Sequence, residues 1–207
     1  MMKTVENCWV MNFATSTENF VSLLKAENEW FNAIGDFGLS DLSKKAVAEF
    51  CLKKASRFVL TKVFAIKKLV KTLTSQGVIP SVKVKFDYFK KGHAYMLDKG
   101  ELHFCKDFIF SDSYEKNVAM AMHEIAHAIL LKHSSYASLT AINAEFLDII
   151  KTPSQIVITP VEFYANLITA RLLESGMENA EDEKRVAFLK EEADFLKRKM
   201  RSAIKSL

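Results

Sequence analysis

The sequence predicts an α+β chain: a small antiparallel sheet, a buried helix directly after it, and long N- and C-terminal helices flanking that compact core. Three observations predict it. Apolar residues recur at helical spacing from about Ser40 to Ser75 and again from Val186 to Met200, so both stretches read as amphipathic helices. Strict alternation replaces that period in Val82-Lys83-Val84-Lys85-Phe86, the mark of a half-buried strand. Finally, Val118 to Leu131 is apolar almost throughout, which suits a helix buried on most of its faces.

A length of 207 residues fits one domain with elaborations. Hydrophobic content of 49% beside 26% charged residues is ordinary for a globular chain, and sixteen Phe supply ample core material. The three cysteines, Cys8, Cys51 and Cys105, are widely spaced with no C-x-x-C pair. That argues against a disulfide framework or zinc ribbon and for a reducing compartment. No uninterrupted apolar run reaches bilayer length. The first residues place Glu6 and Asn7 where a signal peptide needs apolar ones. The expectation is a cytoplasmic protein without membrane association.

In chain order, a short helix is expected near Thr17 to Ala33, with Gly35 and Gly38 marking a break. One long helix is then predicted over Ser40 to Ser75. Leu52, Ala55, Val59, Val63, Ile66, Val70 and Leu73 fall on one of its faces, and Lys53, Arg57, Lys67, Lys68 and Lys71 opposite. Gly77 and Pro80 end it. His93 to Leu97 and Glu101 to Phe104 read as two more strands around the turn Asp98-Lys99-Gly100. His93 and His103 are expected at the surface or sheet edge. For the buried helix, Asp112 is the expected cap, with Glu115 reaching back. Helical character from Leu139 to Ile150 is broken by Pro153, and Gln155 to Ile158 is extended. A further helix starts on Thr159 as cap and Pro160 at its first position, and stops at Gly176. The tail carries the stripe Val186, Leu189, Ala193, Leu196 and Met200, suited to docking on the domain or pairing with another helix. Residues 1–79 therefore form a helical N-terminal region, 80–176 the core and 177–207 a C-terminal amphipathic helix, packed as one unit.

Charge is unevenly spread. Lys44 to Lys91 carries +11 and the remainder −7. The basic face of helix 41–75 reads as a solvated surface, with nucleic acid or an acidic protein partner as the sharper alternative. It lacks the interleaved aromatics that would favour nucleic acid.

Within the buried helix stands His123-Glu124-Ile125-Ala126-His127. Residues four apart share a helical face, so both imidazoles can address one ion, and Glu124 is close enough to hold a water on it. This is the H-E-x-x-H pattern of zinc peptidases, in which the Glu is the general base. Two imidazoles and a carboxylate on a buried helix cost desolvation energy that a metal offsets. A catalytic zinc needs a third protein ligand. His133 stands six residues after His127, where metzincins place theirs, but Leu130 replaces the helix-breaking Gly. On a continuous helix His133 lies about 120° round from His127. Glu162 is the other candidate, with Asn166 one turn on to orient a ligating His. A Glu three residues after Thr159 also fits a capping box, and spacing alone leaves both accounts of Glu162 open.

His123-Glu124-Ile125-Ala126-His127-Ala128-Ile129-Leu130-Leu131, followed by Glu162-Phe163-Tyr164-Ala165-Asn166 and Ala170-Arg171-Leu172-Leu173, resembles the ImmA/IrrE family of metallopeptidases over roughly residues 80 to 175. Ile168-Thr169 stand where that family has Phe-Ala. The resemblance implies a compact zincin-like core of gluzincin type, with Zn²⁺ on His123, His127 and Glu162 and Asn166 supporting it from behind. It implies a zinc metallopeptidase with Glu124 as general base, acting on a protein substrate such as a helix-turn-helix repressor. Tyr136, His133 and Tyr164 are the candidate oxyanion stabilisers. A zinc-containing DNA- or partner-binding regulatory module without proteolysis is the alternative.

Overall fold

The computed structural model describes residues 39–55, 58–92, 94–97, 100–132, 160–177 and 183–205. The expected helix near Thr17 to Ala33, the stretches 139–150 and 155–158, and Thr159, His93, His133 and Tyr136 lie outside them. The described chain is mostly helical with one small sheet. The first helix, α1 (Asp41–Glu49), starts on Ser40, whose hydroxyl accepts the N–H of Ser43 at 3.2 Å, a cap worth about 1 kcal/mol.

The long helix expected over Ser40 to Ser75 is two helices. A π-turn, Phe50–Lys54, ends α1, and α2 (Val59–Ser75) follows after a break at Ala55. Phe50, Cys51 and Leu52 are buried there, and the π-turn packs against the helix Pro160–Gly176, a contact with a distant segment that the local period does not encode. The α2 face expected to be apolar is indeed inside, and Lys67, Lys68 and Lys71 are outside. Phe64 on this basic helix and Phe58 just before it are exposed, which corrects the expectation that aromatics are missing there. A Schellman motif ends α2: Gly77 takes φ 68°, and Val78 N–H donates to Leu73 O at 2.9 Å.

Lys62 sits on the apolar face of α2 and is 1% exposed. Its Nζ donates to the carbonyls of Phe108 (2.7 Å), Ile109 (3.1 Å) and Ser111 (2.7 Å), and to Asn117 Oδ1 (3.2 Å). Those carbonyls lie in and just after the one-turn helix α3 (Lys106–Ile109), at a helix end where carbonyl groups have spare capacity to accept. Burial pushes the Lys62 ammonium down to about 8, against the opposing pull of the Asp112 charge.

The sheet has three strands, β1 (Lys83–Asp87), β2 (Ala94–Leu97) and β3 (Glu101–Cys105), in the order β1-β3-β2. It is mixed, which corrects the antiparallel expectation. The β2–β3 hairpin is antiparallel, with Met96 opposite Leu102, but β1 runs parallel to β3, with Val84 opposite Leu102. Burial explains the order. Leu102, His103, Phe104 and Cys105 are all buried, so β3 needs cover on both faces and takes the centre. β1 exposes Lys83 and Lys85 and suits an edge.

The buried helix is α4 (Tyr114–Lys132). Its cap is Ser113 rather than Asp112: Ser113 Oγ accepts the N–H of Lys116 at 3.2 Å and donates to Glu115 at 2.9 Å. The fifth helix, α5 (Pro160–Gly176), packs against α1, α4 and α6 (Glu183–Lys205). The expected tail stripe docks: Leu189, Ala193, Leu196 and Met200 are buried, and Lys197 pairs with Glu174 on α5. A Cβ on Gly176 would meet Cys51 Cβ and Sγ at 3.2 Å, so the end of α5 rests directly on the π-turn. One buried apolar cluster runs from Leu39 through the sheet to Met200. No described helix is long and apolar enough to cross a membrane.

Candidate metal centre

Two helices build the centre. On α4, His123 and His127 stand one turn apart with their rings edge to face and their Nε2 atoms separated by 3.1 Å. On α5, Glu162 lies in the first turn and sends one carboxylate oxygen to each imidazole. Oε2 is 3.0 Å from His123 Nε2 and Oε1 is 3.3 Å from His127 Nε2. Among the described residues, these three form the one His/Cys/Asp/Glu group able to hold an ion. Three donors arranged tetrahedrally at zinc distances of ~2.0–2.1 Å stand about 3.3 Å apart. The observed separations fit that spacing, and the two-imidazole, one-carboxylate set is that of catalytic zinc sites.

Electrostatics follow from the geometry. Burial opposes a charge on Glu162, but hydrogen bonds from His123 and His127 and their positive charge outweigh it, holding the carboxyl well below its usual range. Burial likewise opposes charge on His123, yet the bond to Glu162 and the nearby carboxylates raise its pKa. Glu124 is 6% exposed. Burial raises its carboxyl, the two imidazoles partly countering this, and its Oε2 is buried without a hydrogen-bond partner among the described residues.

Comparison of the chain with protein-family models, with curated proteins and with solved structures returns no match.

The remaining candidates fare differently. α4 continues unbroken through Leu130 to Lys132, so the chain does not turn back at the position where a metzincin helix breaks. Asn166 is half-buried one turn after Glu162. His127 Nδ1 is buried with no hydrogen-bond partner among the described residues, so Asn166 does not orient that ring. Tyr164, two positions from Glu162, points to the other side of α5 and is 1% exposed; it belongs to the core, not to the surface of the site. His103, expected near the surface, is buried between carboxylates, with Nδ1 2.7 Å from Asp87 and Nε2 3.2 Å from Glu101. One neighbour of the centre has no signal in the sequence: Lys199, on α6, stands close enough for its charge to oppose protonation of His123.

Proposed function

We propose that the chain is a zinc-dependent endopeptidase that hydrolyses peptide bonds of a protein substrate. The observation that carries this reading is the convergence of His123, His127 and Glu162 beside a buried oxygen of Glu124 that has no hydrogen-bond partner among the described residues. His123 and His127 through Nε2, and Glu162 through its carboxylate, would hold the ion. When bound there, zinc supplies a Lewis acid and lowers the pKa of a water in its open position. Glu124 accepts a proton at its free carboxylate oxygen and delivers it to the leaving amine. Burial raises its pKa, which makes it a stronger base than an exposed carboxylate. Glu162 stays ionised, and its negative charge offsets that of the cation it would face. The resemblance to ImmA/IrrE peptidases points to a helix-turn-helix repressor or another regulator as the substrate.

The test is metal content and affinity. Purified protein should hold about one zinc per chain. Glu162→Ala should weaken zinc binding by more than ~100-fold, beyond the loss that follows removal of a supporting residue, while His133→Ala leaves it unchanged. Zinc at 1,000 times its Kd should raise stability by about 4 kcal/mol, and a chelator should reverse the gain. Affinity that survives Glu162→Ala and collapses in His133→Ala would give the third position to His133.

A regulatory module that binds a partner without cutting it is the second reading. Its observation is the outer face of α2, where exposed Leu60 and Phe64 adjoin Lys67, Lys68 and Lys71. Glu124→Gln separates the two readings, because a non-proteolytic module keeps its regulatory effect in that variant.

A further inference from the structure

Away from the metal centre, α1 and α2 meet along a groove of about 360 Å³. Ala46, Phe50, Ala65 and Leu69 line it, and the Glu49–Lys68 ion pair bridges its walls at 2.9 Å. Phe64, which lines it, is 68% exposed, and Leu42 and Leu60 on the same two helices are 53% and 71% exposed, side chains that a water-facing helix does not favour. Leu42, Ala46 and Glu49 share one face of α1, and Leu60, Phe64 and Lys68 share one face of α2. A trough between two helices with apolar edges is the shape that a third amphipathic helix fills.

Charge decides what kind of helix. Lys45, Lys67 and Lys71 are exposed on α1 and α2, within the span that carries +11. A second copy would bring the same charge to the same face and be repelled. The occupant that fits is acidic and apolar-striped.

We propose that the groove is the docking site of this chain's own segment Thr17–Ile34. Phe20, Leu23, Leu24, Trp30, Phe31 and Ile34 recur there at helical spacing, and the segment carries −2. Glu27 interrupts the stripe. An acid in that position is costly against an apolar wall and favourable beside the ammonium groups of Lys68 and Lys71. Only residues 35–38 separate the segment from Leu39, where the described chain leads into α1 beside the Leu42 end of the groove. A connection of that length is ordinary for antiparallel helices, and its two glycines permit the reversal.

The chain's two tryptophans, Trp9 and Trp30, provide the test. In full-length protein carrying Trp9→Phe, Trp30 is the single indole. Its emission should lie well to the blue of the same protein in urea, with several-fold weaker acrylamide quenching. Leu60→Glu and Phe64→Glu change exposed positions, so circular dichroism should stay unaltered while each moves the emission to the red and restores quenching. Glu27→Lys should do the same. A Trp30 spectrum already as red as in urea, or one indifferent to all three substitutions, overturns the proposal. So does a dimer in sedimentation that Phe64→Glu splits, which would give the groove to a second copy.

Discussion

Glu124→Gln is expected to reduce peptide-bond hydrolysis by about 10²–10⁴-fold, the range of a lost general base, with zinc content unchanged. The substitution keeps the size of the side chain and leaves His123, His127 and Glu162 in place. It removes the one carboxylate at the centre with a buried oxygen that has no partner among the described residues. An amide nitrogen or carbonyl there cannot accept and release a proton at neutral pH. The loss should appear in kcat, because the proton moves only as the transition state forms. Cleavage at the unaltered rate by a zinc-loaded Glu124→Gln protein would remove Glu124 from the mechanism, and zinc loss in that variant would place it among the ligands.

Lys62→Met should destabilise the fold by about 1–3 kcal/mol at neutral pH, the cost of leaving buried oxygen acceptors without their donor. Met matches the length and packing of the stem, so the loss reports on the ammonium. Without it, the carbonyls of Phe108, Ile109 and Ser111 and the side-chain oxygen of Asn117 lose a donor. The pH dependence follows from linkage. Burial lowers the Lys62 pKa from 10.5 to about 8, so between those values the unfolded chain binds a proton that the folded chain has released. This contribution is fully present above 10.5 and is lost as pH falls through about 8. The stability gap between wild type and Lys62→Met should therefore widen from pH 8 to 10.5. Urea titrations across that range measure it, and a narrowing gap would show that the buried ammonium keeps its proton.

Much of this was legible in the sequence where local chemistry decides. Alternation from Val82 to Phe86 marks a strand, and the Val186–Met200 stripe marks a docked helix. The pairing of His123 with His127 follows from helical geometry alone. Glu162 was not fixed that way, because thirty-five residues separate it from His127 and a capping role predicts the same residue at the same place. Other features depend on contacts no local pattern encodes. The parallel pairing of β1 with β3 arises because the most apolar strand takes the centre. The π-turn sits where the chain packs against the end of α5, while the apolar period runs through it unbroken. Lys62 did carry a signal, standing four residues before Ile66 on the apolar face. Its carbonyl partners, on a segment more than forty residues away, are visible only in the fold.

The contact between Gly176 and Cys51 has a consequence for how this sequence can drift. The hydrogen of Gly176 occupies space that a methyl group would have to take from Cys51 Cβ and Sγ, and packed interiors yield little. The π-turn and the end of the Glu162 helix are therefore bound to a shared inheritance. A lineage that gains a side chain at 176 needs the residue at 51 to give way or shrink, and the two positions should tend to change together across descendants of this protein.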